Sequence, residues 1–188
     1  MTERLFPTTV VGSMPRPRYI KDLIERDASE GGSSEEFQRL MDGAVPYVAQ
    51  MQESAGIDVI SDGEWRRKSY IGVIADMCSG FELSIREVVG QRQTWHVVTE
   101  RIELTNPGKA VAEARFLRAH TDRKVKVALP SPYLLGERMW DPELSRDAYP
   151  DRRDFTEALV PVLRQELIAL VDEGVDVVQF DDPHLCLF

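Results

Sequence analysis

Cysteine is scarce in this chain, with only Cys78 and Cys186 among 188 residues, which excludes a disulfide framework as the source of stability. Basic charge is in deficit. The 23 Lys and Arg face 32 Asp and Glu, a net charge of −9, so there is no positive field to draw in a nucleic acid or an anionic membrane. No apolar run reads as a spanning helix or a signal peptide, and a reducing cytoplasm is the expected location. Also missing are G-x-G-x-x-G, G-x-x-x-x-G-K and G-x-S-x-G, which withdraws the usual support for dinucleotide, nucleotide and serine-hydrolase chemistry. With 43% hydrophobic and 29% charged residues, the composition predicts one soluble globular domain.

Two stretches share one plan: Gly56-Ile57-Asp58-Val59-Ile60-Ser61-Asp62-Gly63-Glu64 and Gly174-Val175-Asp176-Val177-Val178-Gln179-Phe180-Asp181-Asp182. Each glycine predicts the stop of a helix, each Val/Ile run a strand buried on both faces, and each closing acidic cluster what that strand delivers at its end. In parallel α/β proteins the carboxyl edge of the sheet is where ligands bind, so the acids there are candidates for chemistry.

The rest of the chain predicts further elements between and around these two. Residues 6–12 read as a first strand stopped by Pro15 and Pro17, residues 18–27 as a short helix, and residues 35–55 as a long helix capped by Ser33 and kinked at Pro46. A second strand is expected at 57–61 and a helix at 65–78. Alternating apolar runs around Gly90 predict a β-rich hairpin insertion at 81–105. A helix at 107–120, a strand at 125–129, a loop through Trp140, a helix at 152–173 and a strand at 175–180 complete the series. Helices alternating with apolar strands argue for a parallel sheet, and four such strands make half of an eight-stranded barrel.

Several residues carry a functional and a structural reading side by side. Glu64 either holds a substrate ammonium or lies in a first helical turn that Asp62 caps. Gly12 and Ser13 either offer N–H groups and a hydroxyl to a carboxylate or form a simple turn. Asp181 and Asp182, which alternation sends to opposite sides, either bind an amine, a metal or a proton in transit, or one caps the next segment and the other meets solvent; the rule for strand ends favours Asp181 as the site residue. His184 and Cys186 are zinc ligand types, yet a zinc centre needs three or four ligands and no supporting spacing accompanies them. Trp65, Tyr133 and Trp140 are either stacking surfaces for a flat ligand or core.

Three motifs in order, Pro7-Thr8-Thr9-Val10-Val11-Gly12-Ser13-Met14-Pro15, Asp62-Gly63-Glu64 and Gln179-Phe180-Asp181-Asp182-Pro183, resemble those of the catalytic domain of cobalamin-independent methionine synthase. The resemblance covers nearly the whole chain, 1–188, as the N-terminal half of that family's catalytic (β/α)8 TIM-type barrel. It implies an α/β fold with about the first four strands of the barrel. It also implies a zinc-dependent methyltransferase moving a methyl group from a 5-methyltetrahydropteroyl-polyglutamate, the folate methyl donor, to homocysteine. By position Val11, Gly12 and Ser13 would hold the carboxylate end of the amino-acid thiol, and Glu64 and Asp181 its ammonium.

The departures from that pattern shape the expectation. The family's Asp-Glu-Pro-Ala is here Asp181-Asp182-Pro183-His184, and its zinc ligands, a His-x-Cys pair, a Glu and a distant Cys, lie on strands expected beyond Phe188. No metal ligand is therefore assigned within this chain. The resemblance implies a small-molecule thiol substrate and a missing C-terminal half or a second chain to complete the barrel. The alternatives are a related alkyl-thiol transferase or lyase, and an inactive half-barrel that only binds a small molecule.

Overall fold

Asp58 and Asp176, the third residues of the two repeated stretches, do the same job. The structure, a computed structural model, describes residues 5–29, 35–88 and 91–187. Asp58 Oδ2 accepts from Thr8 N at 2.8 Å while Asp58 N donates back to Thr8 O. Asp176 Oδ2 accepts from Val125 N at 2.8 Å while Asp176 N donates back to Val125 O. Each aspartate thus closes a two-way bond onto the segment beside it, just before its own strand begins. The glycine before each also repeats. Ile57 N bonds Gln52 O and Gly56 N bonds Glu53 O, and Val175 N bonds Leu170 O and Gly174 N bonds Val171 O, the paired bonds of a glycine-ended helix.

The elements in order are α1 (Arg18–Ser29), α2 (Glu35–Ser54), β1 (Val59–Ile60), α3 (Val73–Met77), β2 (Cys78–Val88), β3 (Gln91–Leu104), α4 (Lys109–Arg118), β4 (Lys124–Pro130), α5 (Pro132–Met139), α6 (Arg152–Asp172) and β5 (Val177–Asp181), followed by a 3-10 turn at Pro183–Leu187. One sheet has the order β1-β4-β5, with β1 parallel to β4 in the register Val59↔Lys124 and Ile60↔Val125. The fold is therefore α/β with parallel pairing. β2 and β3 form the antiparallel hairpin expected from the alternation, with a register shift between Ser79 and Phe81. The Ser33 cap and the Gly90 turn lie outside the described residues.

The chain divides into two compact units, each gathered from three stretches. The first comprises residues 1–70, 110–128 and 170–179. Within it, α1 and α2 close on Trp65 through Ile20, Ile24, Phe37, Met41 and Val48. Behind β1 and β4, Val45 and Ala49 of α2 meet Ile60, Val125 and Leu117. Gln52, buried on α2, fastens the end of β1: its amide donates to Ser61 O and accepts from Ser61 N. The second unit comprises 71–109, 129–169 and 180–188. Its centre is aromatic, with Phe155 of α6 edge-on to Phe81 and tilted against Tyr149. The Tyr149 hydroxyl accepts from Ile102 N of β3.

Several expectations are corrected. Residues 6–12 make only an isolated parallel bridge, Thr9 to Val59, and Val11 is 81% exposed. The strand expected at 57–61 shrinks to Val59–Ile60. The helix expected at 65–78 is confined to Val73–Met77, because Arg16 takes the carbonyls of Glu64 and Arg67 that would have begun its ladder. The loop expected before Trp140 holds α5 instead: Ser131 Oγ accepts from Leu134 N and Pro132 occupies the first turn, where its missing N–H costs nothing. β5 is not buried on both faces, since Val177 and Phe180 are 40% and 42% exposed.

Candidate functional site

The first and second sequence motifs come together in the first unit. Ser13 Oγ donates to Glu64 Oε2 at 2.6 Å, across 51 residues of chain. Met14 N donates to Gly63 O at 3.1 Å, so the backbones of the two segments are joined beside the side-chain contact. Ser13 is exposed while Glu64 is 4% exposed, which leaves the pair at the rim of a buried polar cluster.

The turn that carries Glu64 has an unusual backbone. Gly63 and Glu64 both have positive φ, 66° and 56°, and Glu64 is the sole non-glycine residue in that region among the described residues. A left-handed residue with a side chain costs about 1–2 kcal/mol, so something must hold it. Asp62 Oδ1 accepts from Glu64 N at 2.9 Å, a local side-chain turn in place of the helix cap allowed by the sequence. Gly63 has no substitute: a Cβ there would lie 2.9 Å from Met14 Cβ.

Around this turn sits a balanced set of buried charges. Arg67 Nε and Nη2 each lie 2.9 Å from Glu113 Oε2, and Arg67 Nη1 donates to Ala128 O at 2.7 Å. Burial opposes the Arg67 charge, but Glu113, Asp62 and Glu64 outweigh it and raise its pKa above the ordinary value. Half-buried Arg16 shows the opposite balance, its pKa lowered by burial against the attraction of Glu64 and Asp62. Lys126, 3% exposed in β4, donates to Val10 O and to Gln179 Oε1, 2.7 Å in the latter case. A cavity with room for little more than a water molecule lies among Asp62, Arg67, Glu113 and Lys126, and Asp62 Oδ2 is buried beside it without a hydrogen bond.

Of the five residues expected to bind substrate, Ser13 and Glu64 touch, and Val11 and half-buried Gly12 are carried just before them on the same segment. Asp181 belongs to the second unit. There its carbonyl accepts from Ser131 N at 3.0 Å, and next to it Asp182 Oδ2 accepts from Ser131 Oγ at 2.7 Å. Trp65 is fully buried in the core of α1 and α2, so its stacking role is withdrawn. The sequence marks Arg67 as one of the cations that follow Glu64, but it singles out none of Arg16, Glu113, Lys126 and Ser131 as site residues. Lys126 alone carried a signal: a lysine inside an otherwise apolar strand, Val125–Leu129.

The described residues do not fit a zinc centre. Among the described residues, no group of three or more His, Cys, Asp and Glu side chains is placed to hold a metal ion. His184 and Cys186 lie on the 3-10 turn, where residues two apart point in different directions, and Cys186 Sγ donates to Pro183 O at 2.9 Å.

Residues 6–187 match the family model described as the catalytic domain of cobalamin-independent synthase. The chain is 31% identical to a methionine synthase of Sulfolobus acidocaldarius, over 96% of this chain and 52% of that protein. It is 30% identical to that of Saccharolobus solfataricus, over 96% of this chain and 54% of that protein. A B12-independent methionine synthase from Shewanella sp. W3-18-1, solved in complex with selenomethionine, superposes with a TM-score of 0.80 at 25% identity, over 98% of this chain and 54% of that one. The chain thus spans about half the length of the curated relatives it matches.

Proposed function

Because this chain belongs to the cobalamin-independent synthase catalytic-domain family, we propose that it is the amino-acid-binding half of a methyltransferase that makes methionine from homocysteine and a folate methyl donor, 5-methyltetrahydropteroyl-polyglutamate. The observation that carries the reading is the 2.6 Å bond from Ser13 to Glu64, which joins two family motifs at one buried carboxylate. The Shewanella relative was solved with selenomethionine, the selenium analogue of the product.

In this reading the β1-β4-β5 sheet, with the Thr9 bridge beside it, is the first half of a (β/α)8 barrel. Glu64, nearly excluded from water, holds the ammonium of the amino acid, since a carboxylate in a poorly screened site binds a cation more strongly than one in water. Val11, Gly12 and Ser13 hold its carboxylate end through backbone N–H groups, the Ser13 hydroxyl proton being given to Glu64. Asp181 is the second ammonium partner, delivered from β5. The zinc that activates the thiol in this family would take its ligands from the part of the relatives' length that this chain does not match, supplied by a C-terminal half or by a second chain. The cytoplasm remains the proposed location, and no helix among the described residues is long and apolar enough to cross a membrane.

Calorimetric titration of L-methionine and L-homocysteine tests the binding half. One molecule should bind per chain, and Glu64→Gln should weaken it at least about tenfold, the loss of a charge-assisted bond. Methyl transfer should appear only when the relatives' remaining half is added as a separate polypeptide with zinc. Unchanged affinity in Glu64→Gln would remove this reading.

A further inference from the structure

Glu64 is held in its left-handed conformation from two sides. Asp62 Oδ1 takes its N–H, at 2.9 Å. Its carbonyl accepts from Arg16 Nη2 at 2.6 Å, and the same nitrogen donates to Arg67 O at 2.7 Å. Arg67 N also donates to Glu64 O, at 3.1 Å, which closes the turn that the guanidinium spans. Arg16 lies two residues after Met14, whose N–H bonds Gly63 O. The segment that offers Ser13 to the Glu64 carboxylate therefore also clamps the Glu64 backbone. Reversal of φ at Glu64 from 56° to an ordinary negative value would swing its Cα–Cβ bond away from Ser13.

We propose that Arg16 and Asp62 are positioning residues, a clamp that keeps Glu64 left-handed and so aims its carboxylate at the ammonium of the amino-acid ligand. This rests on the reading of Glu64 given above. Neither side chain needs to touch the ligand. Both bonds come from one terminal nitrogen, so what the site requires of residue 16 is a long side chain that brings an N–H donor group to the two carbonyls at once.

Two measurements on the 188-residue chain test the clamp. Amide hydrogen exchange at Glu64 reads the backbone directly and needs no ligand, and L-methionine affinity reads the consequence. In Arg16→Ala, Arg16→Met and Asp62→Ala, exchange at Glu64 should quicken and affinity should fall, each at least about tenfold, the worth of a charged hydrogen bond. Ethylguanidinium added to Arg16→Ala should restore both, and sodium chloride at the same concentration should restore neither; a general effect of ionic strength would not make that distinction. Unchanged exchange at Glu64 in Arg16→Met and Asp62→Ala overturns the clamp. If the unaltered chain binds no methionine, the reading of the pocket fails while the exchange rates still decide the clamp. If Arg16→Ala does not fold, Arg16→Met and Asp62→Ala carry the test.

Discussion

Arg67 and Glu113 meet at 2.9 Å with their side chains 3% and 7% exposed, joining the turn after β1 to helix α4 through a pair that water barely reaches. Removal of one partner strands the other charge. Glu113→Ala should therefore cost about 3–5 kcal/mol, the usual penalty for breaking a buried pair, and urea unfolding measures it. Glu113→Gln keeps an acceptor for the guanidinium and should lose less. A cost for Glu113→Ala no larger than that of an exposed pair would mean that Arg67 finds other partners.

Gly63 is predicted to tolerate no side chain. Alanine there would keep a φ of 66° and place its Cβ 2.9 Å from Met14 Cβ and 3.2 Å from Val48 Cγ2. The left-handed backbone costs about 1–2 kcal/mol and the crowding adds about 1–3 kcal/mol. Thermal unfolding of Gly63→Ala should begin roughly 5–15 °C lower. A variant melting with the parent would refute the close approach of the two segments.

Lys126→Met should preserve the volume of β4 and remove its charge. Val10 O and the Gln179 amide would each lose a donor, and because both residues are half-buried the loss should be about 0.5–1.5 kcal/mol for each bond. Because Val10 directly precedes the expected carboxylate-binding segment, methionine affinity should fall as well. Calorimetry and denaturation on the same sample separate the two effects.

The two thiols should differ sharply in reactivity. Burial pushes the Cys78 thiol from 9.0 up to about 11, whereas Cys186 is exposed. At pH 8 an alkylating reagent should modify Cys186 quickly and Cys78 only after denaturation, followed by peptide mass analysis. The sign for stability follows from the same shift. The folded state retains the proton that the unfolded chain releases, so the contribution of Cys78 is fully present below about pH 9 and is lost as the pH climbs through about 11.

Local signals account for the parts of the fold that the sequence made legible. The α2 and α6 spans, the hairpin and the helix-ending Gly56 and Gly174 all follow from periodicity and turn chemistry within a few residues. The failures depend on distant partners. Residues 65–72 have the composition of a helix, yet Arg16 reaches across 48 residues to take the Glu64 carbonyl. Pro130-Ser131-Pro132 reads as a stop, and Ser131 turns it into a helix start. Glu64 and Ser13 were legible as candidates, but nothing near them in sequence announced Arg16 or the Lys126 contact with Val10, 116 residues away.

The three-stretch make-up of each unit limits how this chain can be cut. Residues 1–70 leave behind 110–128 and 170–179, and with them β4, the strand onto which β1 is paired, so no single restriction fragment encodes the first unit whole. Gene fusions, domain swaps and recombination libraries that exchange the first seventy codons would separate Arg67 from Glu113 and β1 from β4. Crossover points suited to this protein must be chosen in pairs.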